Sequence, residues 1–182
     1  MKSRRKFLQH TASGLLAGVL ATSSNPIFAN QATAKGVVKQ ASEAETYFVR
    51  ENTPIIILIS KRTDNIGSAS LCMEELMPDG GIPVHKHLHN DEFFYFNKGT
   101  GLFLLEDKEF EIKEGSAAFV PRNTWHGVKN TGNGKMQLTF GFSPAGFEDF
   151  FRQIGSPKGT PYRSRPAEEL KRIADTFGMV FR

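Results

Sequence analysis

The sequence predicts an all-β fold, a small barrel or sandwich of strands followed by two amphipathic helices at the C-terminus. Three observations lead to this prediction. From about residue 45 the chain runs in short apolar segments of strand length, and glycine-rich stretches separate them. After residue 145 the hydrophobic period changes from that of a strand to that of a helix. A chain of 182 residues is long enough for one such domain with a hydrophobic core.

The predicted strands share β-branched runs or an alternation of apolar and polar residues. They are residues 54–60, 70–76, 101–105, 109–115 and 135–142. The glycine-rich segments between strands predict tight turns. These segments are residues 79–81, 98–101 and 131–134. Residues 106–108 are expected to join two of the strands as a hairpin turn. Short strands with tight turns favour a barrel or a sandwich, and we place this β-domain, as a β-barrel, at 45–145.

The C-terminal part of the chain, residues 146–182, predicts the two helices. Apolar residues recur there at i, i+3, i+4 and i+7 in two segments. They are Phe147, Phe150, Phe151 and Ile154 in the first segment and Leu170, Ile173, Ala174 and Phe177 in the second. Residues 164–166 contain a serine and a proline, which are typical of a helix start. We expect both helices to pack on the outside of the strands, with partner binding by their apolar faces as the alternative.

Residues 1–29 resemble an export signal. The cationic start MKSRRKF is followed by the mildly apolar run TASGLLAGVLA and by small residues, with cleavage expected after Ala29 or Ala34. The apolar run is too short and too rich in small residues for a membrane span. Residues 3–8 (SRRKFL) resemble the twin-arginine signal, so we expect a folded protein exported to the bacterial periplasm, with Sec export as the alternative. Residues 30–44 are expected to form a flexible leader.

The formal charge of +4 comes from the signal segment. Residues 1–29 contain four lysines and arginines and no acidic residue, so the remaining chain has equal numbers of cationic and anionic side chains. The basic footprint that nucleic acid or an anionic membrane surface requires is therefore missing. We expect a small-molecule substrate as the partner, with no nucleic acid and no membrane after processing, and we leave a homodimer open.

Cys72 is the single cysteine of the chain, so an intrachain disulfide is excluded. It lies within the apolar stretch 68–77, where we expect it to be a small buried core residue. A reactive thiol is the alternative.

The histidines of the chain are concentrated in two short segments. Outside the signal they are His85, His87, His89 and His126. On a strand, His85 and His87 point to the same face, about 7 Å apart along the chain. This spacing suits two imidazole ligands of one metal ion if the strand curves and other side chains contribute across a barrel. Histidines that face solvent at a polar strand end are the alternative.

The two histidine segments together resemble the two sequence motifs of the cupin superfamily. The first motif contains His-x-His, a glutamate and a glycine, and its positions are filled here by His85, His87, Glu92 and Gly99. Its opening glycine is represented by Gly80, one residue closer to the histidines than in the family pattern. The second motif is matched by Gly115, Pro121, His126 and Asn130. Asn123 stands where the family has glycine, and asparagine tolerates a left-handed backbone better than most residues.

The resemblance implies a cupin β-barrel with one metal site. The implied metal ligands are His85, His87, Glu92 and His126. Three neutral imidazoles and one carboxylate suit a divalent transition metal ion. Because a protein exported folded would load its metal in the cytoplasm, we expect iron, manganese, nickel or cobalt, with zinc or copper as the alternative. A cupin without metal, whose histidines only form hydrogen bonds inside the barrel, is the alternative. His89 is expected at the rim or as a hydrogen-bond donor to a ligand, with a ligand role as the alternative.

Phe94 and Phe96 are candidate residues of a substrate pocket. If Glu92 faces the barrel interior, strand alternation turns both phenylalanines inward as well. They would then line an apolar pocket beside the metal, which suits an aromatic or otherwise flat substrate. The alternative is that these large side chains only fill a small barrel.

Residues 143–155 (SPAGFEDFFRQIG) resemble the C-terminal extension of single-domain cupins similar to quercetin dioxygenase. This resemblance implies a metal-dependent oxidoreductase, a dioxygenase in the broad sense, acting on an enediol or aromatic hydroxyl substrate. Glu92 would be the catalytic residue, both a metal ligand and an acceptor of the hydroxyl proton. Because cupin folds carry many functions, a non-oxidative isomerase or lyase and a non-catalytic small-ligand-binding protein are the alternatives.

Overall fold

The computed structural model describes residues 35–182. The predicted signal at 1–29 and the two predicted cleavage positions, Ala29 and Ala34, lie outside the described residues. Within the described part the chain forms β-strands, three α-helices and a short 3-10 helix. None of the helices in this part is long and apolar enough to cross a membrane.

The strands form two sheets that share one hydrophobic core. They are β1 Glu45–Arg50, β2 Thr53–Ile59, β3 Leu71–Leu76, β4 Gly81–His87, β5 Asp91–Lys98, β6 Thr100–Leu105, β7 Lys108–Lys113, β8 Ala117–Val120, β9 His126–Asn130, β10 Met136–Ser143, β11 Ser156–Pro157 and β12 Met179–Phe181. One sheet has the order β11-β1-β2-β3-β10-β5-β8, and the other has the order β12-β4-β9-β6-β7. Neighbouring strands pair antiparallel. The predicted all-β fold class is confirmed.

The core is filled by alternate residues of the strands. Phe140 in β10 lies opposite Cys72 in β3 and Phe94 in β5, so these three side chains point to the same interior face. All three are buried, and burial of such apolar area contributes about 25 cal/mol per Å² to folding. Burial also raises the pKa of the Cys72 thiol well above its usual range. Cys72 is therefore the small core residue that the sequence predicted.

The turns that carry motif residues have the backbone that the motifs require. Gly99 and Gly115 adopt φ angles of 97° and 85°, which are unfavourable for residues with a side chain. Asn123 adopts φ 65°, as expected for a residue that replaces glycine in a left-handed turn. Its backbone N–H donates to the carbonyl oxygen of His87 at 2.6 Å. The turn that precedes His126 is therefore retained and is fastened to the strand that bears His87.

The C-terminal part contains the two predicted helices, α2 (Asp149–Ile154) and α3 (Ala167–Thr176). Phe147 lies two residues before the start of α2 and is buried in the core. The predicted start of the second helix is confirmed, because Pro166 is its N-terminal cap residue. The strand β12, which the helical pattern did not predict, follows α3 and pairs with β4. This strand closes one edge of the smaller sheet.

Residues 35–44 lead into the barrel and make contact with it. A short 3-10 helix spans Ala41–Glu43. Lys39 Nζ lies 2.6 Å from a carboxylate oxygen of Asp64, at the end of helix α1 (Lys61–Asp64). This ion pair ties part of the predicted leader to the surface of the domain.

Candidate metal centre

Three strands bring the four predicted ligands together. His85 and His87 lie in β4, Glu92 in β5 and His126 in β9, and strand pairing places His85 directly opposite His126. His85 and His87 are two residues apart on a strand, so both side chains point into the barrel. All four side chains are buried. The structure therefore assembles inside the barrel the ligand set that the cupin resemblance implied.

The nitrogen and oxygen atoms of these side chains converge on one point. The Nε2 atoms of His85 and His87 lie 3.1 Å apart, and Glu92 Oε2 lies 3.0 Å from His87 Nε2 and 2.8 Å from His126 Nε2. One candidate ligand atom from each residue lies within 4.8 Å of all the others. Separations of this size are close to those between ligand atoms that each lie about 2.1 Å from the same metal ion.

Hydrogen bonds to the backbone fix the orientation of two of the imidazoles. His85 Nδ1 lies 2.8 Å from the carbonyl oxygen of Pro83, and His126 Nδ1 lies 3.0 Å from that of Thr124. A carbonyl oxygen only accepts hydrogen bonds, so each Nδ1 carries the proton and donates. In the neutral ring the Nε2 atom is then unprotonated, with its lone pair directed at the centre of the cluster.

The third imidazole is held by packing. The ring of His87 packs against Phe142 and Phe147, with centroid distances of 5.2 and 4.2 Å and T-shaped geometry. His87 Nδ1 is buried and has no hydrogen-bond partner among the described residues. The aromatic contacts therefore take the orienting role that backbone carbonyls have for the other two rings.

The donor set fits a cation. Unprotonated imidazole nitrogens and a carboxylate oxygen are all acceptors, and at separations of about 3 Å their lone pairs repel one another unless a positive charge lies between them. Three imidazole nitrogens with one carboxylate oxygen are ligands that divalent transition metals accept. The buried cluster is therefore compatible with a single metal ion.

Burial and mutual repulsion keep His85 in the state that a metal requires. Burial is the main cause that lowers the pKa of His85 to about 3, and the positive charges of neighbouring His126 and His87 lower it further. Its imidazole is consequently neutral at physiological pH. A neutral imidazole is the form that binds metal.

Glu92 and His126 influence each other in opposite directions. Burial would raise the pKa of Glu92, but the charge of His87 and hydrogen bonds from His126 and His87 bring it down to about 2. Burial would lower the pKa of His126, but its hydrogen bond to Glu92 and the carboxylate charge raise it overall. Glu92 is therefore ionised at neutral pH, and its negative charge favours any cation within the cluster, whether a proton or a metal ion.

The fourth histidine of the first segment lies apart from the cluster. The His89 side chain is exposed and packs against Gly178, where an added Cβ would lie 2.5 Å from His89 Cδ2. Among residues 35–182, the group able to hold a metal ion does not include His89. Its position corresponds to the rim location expected from the sequence.

An apolar cavity of about 270 Å³ opens beside the cluster. Three of the four candidate ligands, His85, His87 and Glu92, lie on its wall. Most of the remaining wall consists of aromatic and aliphatic side chains. The phenylalanines among them are Phe140, Phe142, Phe147, Phe150, Phe151 and Phe181. A small, largely apolar molecule in this cavity would contact the ligand cluster directly.

Phe94 and Phe96 are not among the residues that line this cavity, and their predicted role in a substrate pocket stays a prediction. Both face the interior, as strand alternation required, and both are buried. They pack against Phe103, at centroid distances of 5.3 and 6.1 Å, and the ring of Phe94 also lies 5.9 Å from that of the candidate ligand His126. The wall is formed instead by Phe147, Phe150 and Phe151, because the segment around α2 packs over the cavity.

Two charged residues on the cavity wall were not predicted from the sequence. Glu74 of β3 and Arg50 of β1 form an ion pair there. Glu74 alternates with the buried residues Cys72 and Leu76, so strand periodicity contained a signal for an inward-facing carboxylate. No comparable pattern marks Arg50.

Fold and site together define a β-barrel protein with a buried cluster of three histidines and one glutamate that is compatible with one metal ion. Residues 72–142 match the family model described as "Cupin domain". An RmlC-like cupin from Shewanella frigidimarina superposes with a TM-score of 0.54, at 18% identity, over 64% of this chain and 96% of that structure. The structural match shows that the chain has the cupin fold, and the family match covers residues 72–142 of it.

Two relatives in sequence extend this similarity. An uncharacterized protein of Methanocaldococcus jannaschii is 33% identical over 78 residues, which are 42% of this chain and 62% of that protein. The match therefore spans under two thirds of its length. An oxalate-binding protein of Thermotoga maritima is 29% identical over 81 residues, 44% of this chain and 67% of that protein.

Proposed function

We propose that the protein is a metal-dependent oxidoreductase, a dioxygenase similar to quercetinase in the broad sense, acting on a flat substrate with an enediol or aromatic hydroxyl group. The observation that supports this proposal is the position of His85, His87 and Glu92 on the wall of an apolar cavity. Such a cavity brings an apolar substrate and a metal ion into contact while excluding bulk water.

The charge of the donor set favours an oxygen anion as the group that approaches the metal. Three neutral imidazoles and one carboxylate cancel one of the two positive charges of a divalent ion. The site therefore retains a net positive charge in surroundings of low polarity, where an enolate or phenolate oxygen is attracted strongly. A bound metal would supply a Lewis acid and a redox-active centre for the reaction with dioxygen.

The wall of the cavity favours a flat apolar substrate over a small dianion. Oxalate, the ligand named for the Thermotoga maritima relative, is small and highly charged. Here the phenylalanine rings beside the cluster, such as Phe142, Phe147 and Phe151, offer contact area for an aromatic ring and few hydrogen bonds for carboxylates. The cavity of about 270 Å³ approaches the size of common ligand pockets.

Glu92 is the residue that we assign to proton transfer. Its carboxylate is ionised and lies at the cavity wall, so it is placed to accept the hydroxyl proton of an entering substrate. His126, whose Nε2 lies 2.8 Å from Glu92 Oε2, is placed to share that proton. Deprotonation of the substrate would produce the oxygen anion that the positive site favours.

The proposal is tested by turnover of a flavonol by the metal-loaded protein, with and without dioxygen. We expect loss of flavonol absorbance in air, uptake of dioxygen and no turnover under argon. Equal turnover under argon would instead indicate the non-oxidative isomerase or lyase. Tight binding without any product in air would indicate a ligand-binding protein, and either result would contradict the proposed oxidoreductase.

A further inference from the structure

A second polar group lies on the cavity wall, apart from the candidate metal ligands. Glu74 and Arg50 form an ion pair there, with side chains that are 3% and 40% exposed, respectively. The carboxylate is therefore enclosed, whereas the guanidinium lies at the margin of the cavity. Arg50 lies on β1 and Glu74 on β3, and both strands belong to the larger sheet, on either side of β2.

A contribution to stability does not account for this pair. Ile55, Phe140 and Phe151 also line the cavity, so the charges lie among apolar side chains. Glu74 is enclosed while Arg50 is partly exposed, so desolvation of the carboxylate offsets much of its attraction to the guanidinium, and a well-packed apolar residue usually stabilises such a position as well or better. Because Glu74 also interacts with the charge of Glu92, the pair belongs to the same electrostatic environment as the ligand cluster.

The strand register separates the pair from the cluster along the barrel. In the strand pairing, Glu74 lies opposite Leu138 of β10, whereas Glu92 lies opposite Phe142 of the same strand. Four residues of extended strand correspond to an offset of about 13 Å. The two carboxylates therefore project into the same cavity from different levels of the barrel.

We infer that the Arg50–Glu74 pair recognises a hydroxyl group at the end of the substrate that lies away from the metal ligands. This inference rests on the proposed function, since it requires a flat substrate whose other end faces the cluster. A hydroxyl both donates and accepts, so it can donate to the Glu74 carboxylate and accept from the Arg50 guanidinium. The ionised pair is neutral overall, and therefore it favours a neutral hydroxyl over a carboxylate, which Glu74 repels.

Binding of three flavonols with the same chelating edge tests this inference. One is unsubstituted, one carries a hydroxyl on the ring far from the chelating edge, and one carries a carboxylate at that position. Dissociation constants are measured with cobalt(II)-loaded protein under argon, so that no turnover occurs and the cobalt spectrum reports metal occupancy. Measurement at about pH 8 keeps Glu74 ionised, because burial raises the pKa of this carboxyl to about 7.

The wild-type protein should bind the hydroxylated flavonol about tenfold more tightly than the unsubstituted one, and the carboxylated flavonol more weakly. Glu74→Gln leaves the Arg50 charge without its partner, so the preference should reverse in favour of the carboxylate. Arg50→Gln should produce the opposite shift and reject the carboxylate more strongly; this variant and the wild type are compared at about pH 9, because loss of the Arg50 charge raises the pKa of Glu74 further. Glu75→Gln is the matched control, because Glu75 is adjacent in β3 but is partly exposed and bonded to Lys135 and Gln137.

The outcomes separate this inference from the proposed function. Equal binding of the three flavonols by the wild-type protein, or equal shifts of all three in the Glu74 and Arg50 variants, would overturn the role of the pair alone. Opposite shifts in the two variants cannot come from general damage to the fold, so they would support it. A cobalt-loaded wild-type protein that binds none of the three would contradict the flat substrate of the proposed function, and this inference with it.

Discussion

The three imidazoles of the cluster are oriented by two different physical means. His85 and His126 each donate from Nδ1 to a backbone carbonyl, whereas His87 is held by the edges of Phe142 and Phe147. The hydrogen bonds depend on the local backbone two residues before each histidine. The packing depends on a segment distant in sequence, which couples the geometry of the cluster to the segment around α2.

Glu74 provides a pH-dependent prediction at the scale of one residue. Burial raises its pKa from 4.5 to about 7, with the charge of Arg50 opposing this shift and that of Glu92 adding to it. The folded protein therefore binds this proton more tightly than the unfolded chain. The stabilising contribution is complete below the unfolded value of 4.5 and is lost as pH rises through 7.

Glu74→Gln removes this titration. Between about pH 5 and 8, the free energy of unfolding of the wild type should fall by up to about 3 kcal/mol relative to the variant. Urea unfolding of the metal-free proteins at several pH values measures the difference. The control Glu75→Gln should show no such fall in this range, because hydrogen bonds from Gln137 and Lys135 lower the pKa of Glu75. A constant difference between wild type and Glu74→Gln would contradict the raised pKa.

The sequence specified the ligands better than it specified the cavity. The spacing of His85, His87 and Glu92 along one strand and the next is a local property, and local spacing determines which face of a strand a side chain occupies. Which side chains from other elements pack against that face depends on the tertiary structure. For that reason the sequence turned Phe94 and Phe96 inward but did not reveal which side chains line the cavity, and the wall residue Glu74 was passed over despite its alternation with Cys72.

At the scale of elements, β4 is the strand on which the cluster depends most. It bears two ligands and is flanked by β9, which bears His126, and by β12 at the edge of the sheet. In the pairing of β12 with β4, Met179 lies opposite His87 and Phe181 opposite His85. The last residues of the chain therefore support the backbone from which both histidines project.

Removal of residues 179–182 is expected to weaken metal binding. Without β12, strand β4 becomes an exposed edge, and the backbone that orients His85 and His87 gains freedom. Loss of support around metal ligands reduces affinity by about 10- to 100-fold in other proteins. Metal affinity is measured by competition with a chromophoric chelator, with Arg182→Ala as the control for the terminal side chain. Unchanged affinity in the truncated protein would show that the other strands position the ligands without β12.

The elements themselves were predicted to different degrees. Helices α2 and α3 were predicted from apolar residues at i, i+3, i+4 and i+7. This spacing is a local sequence signal for an amphipathic helix. The strand β12 has three residues, too few to establish any period, and it forms because the sheet offers an unpaired edge at β4. Short edge strands of this kind depend on tertiary context, which a local pattern does not contain.

At the scale of the whole molecule, the described residues form a barrel interior in which the histidine and glutamate cluster adjoins an apolar cavity. The cupin fold by itself does not select a reaction, so the proposed function rests on the chemistry of the site. The export signal at residues 1–29 and the periplasmic location stay predictions from the sequence. A protein exported folded would carry a metal acquired in the cytoplasm, which agrees with the expectation of iron, manganese, nickel or cobalt in a site whose ligands alone favour copper.

The central claim is that His85, His87, Glu92 and His126 bind one metal ion, and metal content after purification tests it most directly. Elemental mass spectrometry is applied to the wild type, to His87→Ala and to the matched control His89→Ala, whose side chain lies outside the cluster. We expect about one ion per chain in the wild type and in His89→Ala, and almost none in His87→Ala. Full occupancy in His87→Ala, with its fold intact by circular dichroism, would contradict the ligand assignment.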